Sequence, residues 1–142
     1  MIGSVILGLC LVAVGAAILW MRQDAVRAGQ AVLSDLANGS PSAQARVDWA
    51  HLKAMGVDVG AAYTGLPNDR ERARYREAFI EHCSRGFRQS SGAGVEVFVR
   101  WRRVAQKDGR IVIAADYPDK QKTLLVGFSG GWFKRVVSLQ WQ

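Results

Sequence analysis

The sequence predicts an α+β protein: a single N-terminal transmembrane helix followed by helices packed on a four-stranded antiparallel meander sheet. Three observations lead there. No charged side chain precedes Arg22, residues 22–88 repeat apolar side chains at helical spacing, and residues 95–141 alternate apolar and polar side chains between short turns. The predicted organisation is an anchor over 1–21, a helical stalk and linker over 22–41, and a basic domain over 42–142.

The apolar run Ile2 to about Met21 is long enough to span the hydrocarbon core, since about 20 helical residues cover about 30 Å. Trp20 stands at the position of an interfacial aromatic, just before Arg22. No Lys or Arg precedes the run, which is longer than a signal-peptide core, so a retained anchor is expected rather than a cleaved leader. Leu9 before Cys10 does not fit a lipoprotein signal. Arg22 and Arg27 follow the helix, which by the positive-inside tendency puts the remainder in the cytoplasm. Ser4, Gly8 and Gly15 are small residues at which a second transmembrane helix could approach.

Ala25, Ala28, Val32 and Leu36 continue the helical pattern as a stalk that Gly39-Ser40-Pro41 ends. A second helix is expected after Pro41, burying Val47, Trp49, Leu52 and Met55, with Gly56 as its stop. A short helical turn follows around Asp58 to Tyr63. The next helix carries the clearest signals: Asn68 as cap with Glu71 three residues on, then Tyr75, Phe79, Cys83 and Phe87 every fourth residue. Beyond the polar loop Gln89 to Gly94 the period becomes two. Val95, Val97, Val99 and Trp101 are expected to face the helices, and Phe98, Arg100 and Arg102 the other side. Asp108-Gly109 is a two-residue hairpin signal. Arg110 to Tyr117, Thr123 to Phe128 and Trp132 to Trp141 complete the meander, because connections this short join antiparallel strands.

The formal charge is +7 and the pI near 10.0. An excess of this sign suits anionic lipid headgroups or nucleic acid, and beside an anchor the headgroups are favoured. Cys10 and Cys83 fall in different kinds of segment and are not expected to pair. Neither CxxC nor Cys/His metal spacing occurs, and no Gly-rich phosphate loop is present. Asp48 and His51 lie three apart, a surface pair without a nucleophile. His82 and Cys83 are adjacent, so on a helix they diverge by about 100°. Neither an enzyme nor a cofactor is expected.

The function these features suggest is a non-catalytic membrane-anchored accessory or scaffold subunit. It would bind other membrane subunits through a sheet face of Phe98, Arg100, Arg102 and Val112, with Ala114 and Val136 adding to it. The first alternative is a small-ligand-binding module with a helix–sheet pocket lined by Tyr75, Phe79 and Trp101. The second is a tethered binder of anionic lipid or nucleic acid.

Overall fold

In a computed structural model the chain is described over residues 2–91, 97–107, 110–129 and 134–142, with side chains at 6–17, 24–89, 97–104, 110–129 and 134–142. The described residues form four α-helices, α1 (Ile2–Gln23), α2 (Ala25–Asn38), α3 (Val59–Thr64) and α4 (Asp69–Ser91). Six strands accompany them: β1 (Lys53–Ala54), β2 (Val57–Asp58), β3 (Val99–Lys107), β4 (Arg110–Tyr117), β5 (Lys122–Phe128) and β6 (Val136–Trp141).

Among the described residues no helix is long and apolar enough to cross a membrane. This corrects the anchor over Ile2 to Met21, the single-pass membrane localisation and the orientation derived from it. Ser4, Trp20 and Arg22 lie outside the described side chains. Among the described residues, a Cβ added at Gly8 or Gly15 would meet nothing within 4 Å.

Asp24 separates α1 from α2. Its backbone leaves the helical region and its carboxylate accepts from the Arg27 N–H at 3.0 Å, capping α2. The far end of α2 closes in a Schellman arrangement. Gly39 at φ 65 donates to the Leu36 carbonyl, and Ser40 donates to that of Asp35. Between these caps Ala25, Gly29, Val32, Leu33, Leu36 and Ala37 are buried. The helix read as a stalk thus lies on the sheet. Gly29 permits that approach, because a Cβ there would run into the Ile113 side chain.

The sheet has six strands in the order β2-β1-β6-β5-β4-β3 and is mixed, which corrects the four-stranded antiparallel expectation. The meander β3 to β6 is antiparallel throughout. The two extra strands lie at the end of the segment read as a second helix and just beyond its Gly56 stop. Only a 3-10 turn, Pro41–Arg46, forms there, after which β1 pairs parallel to β6 and antiparallel to β2. Met55 at φ 51 and Gly56 at φ 81 make the tight turn between β1 and β2. Two positive φ values are what a type I′ hairpin requires. Gly56 stops an element, as its residue type suggested, but the element is a hairpin strand.

A second correction concerns the phase of β3. Register shifts fall between Val99 and Arg102 and between Arg103 and Ala105, and Arg100 takes φ 51. A bulge adds a residue to one strand and reverses the side-chain alternation beyond it. Phe98 is consequently 5% exposed while Val99 is 39% exposed, the opposite of the expected arrangement. Asp108 and Gly109 lie outside the described residues, as do Val95 and Trp132. Lys107 pairs with Arg110 across the hairpin.

The core gathers one face of the sheet under α2 and α4, with Leu33, Leu36, Leu52, Ile113, Leu124, Val126, Phe128 and Val136 almost fully buried. Burial of each such side chain contributes about 1.5–3 kcal/mol. Polar contacts cap α4 and tie it to α3, the 3-10 turn and α2. Asn68 Oδ1 accepts from the Glu71 N–H at 2.9 Å, and Arg76 donates to Tyr63 Oη at 2.6 Å and to Gln44 Oε1 at 3.1 Å. Buried Ser84 donates to the Ala37 carbonyl at 3.0 Å, linking α4 to α2. Together they set the second half of α4 over the strand ends.

Candidate functional site

Between α2, the second half of α4 and the sheet lies a cavity of about 460 Å³. Pockets for small organic ligands are about 300–1,000 Å³, so the space is of that order. Its floor is formed by buried residues, Leu33 and Leu36 from α2, Tyr117 from β4, Leu124 from β5 and Leu139 from β6. The walls are half-buried Cys83 and Phe87 from α4, with Val97 and buried Phe98 before β3. Exposed residues rim the mouth: Met55, His82, Gly86, Lys120, Lys122 and Trp141.

Phe98 organises the aromatic side of this cavity. Its ring is 6.1 Å from that of Trp141 and nearly parallel to it at 18°, 5.6 Å from Tyr117 and 6.0 Å from Phe87. Rings in such offset and tilted arrangements hold one another firmly, at about 0.5–1.5 kcal/mol per pair beyond burial. The chain bends at the Arg100 bulge, so Phe98 and Trp101 both turn inward, and the Trp101 indole N–H donates to the Phe98 carbonyl at 3.2 Å.

Burial among apolar neighbours pushes the Cys83 thiol up to about 11. It therefore keeps its proton at neutral pH and serves the cavity as a small apolar group. Cys10, the other cysteine, is exposed on α1. His82 shares the cavity with Cys83 but sits at the rim. His51 Nδ1 lies 3.1 Å from both Asp48 carboxylate oxygens, 70% exposed, in a turn outside the cavity lining. Among the described residues no group of three His, Cys, Asp or Glu side chains could hold a metal ion.

The residues expected to line a pocket are placed as follows. Tyr75, Phe79 and Trp101 are half-buried against the core, but none lines the cavity. Tyr75 rests beside Tyr63, and Phe79 meets Trp49 edge-on at 5.4 Å. The cavity opens one to two turns further along the same stripe of α4, at Cys83 and Phe87. The opposing Leu33 and Leu36 on α2 were the legible signal for it, had that helix been read as packed on the sheet.

The expected partner face is rearranged too. Phe98 is inside, and the guanidinium groups of Arg100 and Arg102 both lie 3.0 Å from Asp116 Oδ2. The Thr123 hydroxyl donates to the same carboxylate at 2.8 Å. With Arg102 it holds the Asp116 carboxyl below the usual carboxylate range. Val112 is half-buried, Ala114 is buried, and Val136 joins the core. No family model, curated protein or solved structure matches the chain.

Proposed function

We propose that this chain is a small-molecule-binding module whose site is the cavity between α2, α4 and the sheet. The single observation that supports this reading is the cavity itself, apolar in floor and walls and open at a rim that carries the exposed polar groups. The space is open to solvent at its mouth and, at about 460 Å³, falls in the size range of small-ligand pockets. An apolar body with one polar end fits such a lining, because the floor and walls are mainly carbon, with the Tyr117 hydroxyl and the Cys83 thiol as their polar groups, and the charged groups lie at the mouth. Binding rather than catalysis is proposed. Cys83 holds its proton, and the Asp48–His51 pair does not line the cavity.

The test is a titration of the full chain with N-phenyl-1-naphthylamine, a neutral probe that fluoresces in apolar sites. We expect saturable binding at one probe per chain, reduced when Leu36 or Leu124 on the floor is enlarged to Trp. Binding that is unsaturable, or indifferent to both substitutions, would overturn the reading.

A further inference from the structure

The charge of the mouth goes further than the shape of the cavity. We infer that the occupant is an amphipathic anion of the fatty-carboxylate class, its chain lying on the leucine floor and its head between Lys120 and Lys122. This rests on the ligand-binding reading above and adds the identity of the head.

Lys120 ends the 3-10 turn Pro118–Lys120 and Lys122 begins β5. Gln121 between them takes φ 50, the left-handed conformation that turns the chain sharply between the two lysines. Both are exposed and both line the cavity. Neither forms an ion pair among the described residues, whereas Arg46, Arg72, Arg74, Arg85, Arg100 and Arg102 each have an acidic partner. Among the described residues no Asp or Glu lines the cavity, and the rim also carries His82, whose imidazole N–H can donate. Positive charge and donors are therefore gathered at the opening of an otherwise apolar space. A cationic head would meet repulsion there, and a neutral one would gain little.

The chain length follows from the same lining. A tail lying along Leu33, Leu36, Leu124 and Leu139 meets mainly carbon, so each added methylene gains its burial until the floor is filled. An anionic head at an exposed mouth gains less, because water screens the lysines.

The test compares three probes with one tail, dodecanoate, dodecanol and dodecylammonium, each below its micellar concentration, against the full chain and a Lys120→Gln/Lys122→Gln variant. We expect dodecanoate to bind about tenfold tighter than dodecanol, with dodecylammonium weakest. In the double variant the carboxylate advantage should disappear while dodecanol binding stays unchanged, which also shows that the variant is folded. Equal affinity for the three probes would overturn the anionic head and leave the apolar site standing. A carboxylate preference that survives the double substitution would overturn the assignment to these lysines. Binding of none of the three would overturn both the head and the site.

Discussion

Gly86 offers a perturbation that separates folding from binding by their signs. It lies within α4 at the mouth of the cavity, and a Cβ built there would meet nothing within 4 Å. Glycine in a helix interior is about 1 kcal/mol less favourable than alanine, and leucine is nearly as good as alanine. Gly86→Leu should therefore stabilise the fold by about 0.7 kcal/mol, or about 3 °C in Tm for a chain of this size. The new side chain enters space that an apolar ligand would fill. If it excludes three or four methylenes at about 0.8 kcal/mol each, the loss is about 3 kcal/mol, or on the order of 100-fold in affinity. Thermal unfolding and the N-phenyl-1-naphthylamine titration measure the two quantities on one sample. A variant that is more stable yet binds on the order of 100-fold more weakly agrees with the cavity as the site. Unchanged affinity in the stabilised variant would refute the placement.

Other expectations are more local. Phe98→Ala should destabilise the fold by about 3–5 kcal/mol in urea unfolding, because it removes the ring that joins Phe87, Tyr117 and Trp141; a loss under about 0.5 kcal/mol would return Phe98 to the surface. In a Cys10→Ser background, alkylation of Cys83 should accelerate on the order of 100-fold between pH 8 and pH 10, since only the thiolate reacts and the thiol titrates near 11. A rate that levels off below pH 9 would contradict that environment. The Asp116 carboxyl is held below its ordinary 3.8 by Thr123 and Arg102, so its stabilisation is present above that pH and is lost as pH falls through its lower folded value. Asp116→Asn should flatten the dependence of unfolding free energy on pH below 3.8. An unaltered slope would mean the pair with Arg100 and Arg102 does not persist in solution.

Much of this fold is legible in the chain. Asn68 and Glu71 mark the start of α4, and its four-residue stripe of Tyr75, Phe79, Cys83 and Phe87 does lie against the core. The meander follows from the turn residues and alternating valines. What escaped had physical reasons. Strands of two residues such as β1 and β2 are too short to show a period, and Met55-Gly56 lacks the Asn or Asp that usually announces a type I′ turn. The bulge at Arg100 left no mark in the sequence, because a non-glycine residue at positive φ cannot be read from its type. That single residue reversed the phase and moved Phe98 from the expected partner face to the cavity wall. Of the expected pocket residues, Tyr75 and Phe79 stand on α4 one to two turns before Cys83 and Phe87, and Trp101 stands on β3. Which turn of α4 overhangs the strand ends depends on the tie between Ser84 and Ala37, which are 47 residues apart in the chain. The apolar run Ile2 to Met21 read as an anchor from composition alone, whereas among the described residues no helix is long and apolar enough to cross a membrane.

The cavity itself is tested most directly by the methyl spectrum of the leucine-labelled full chain during addition of dodecanoate. We expect shifts at Leu33, Leu36, Leu124 and Leu139, which form the floor, and none at Leu52, which is equally buried but does not line the space. Shifts confined to α1, or spread evenly over all leucines, would contradict the site between α2, α4 and the sheet.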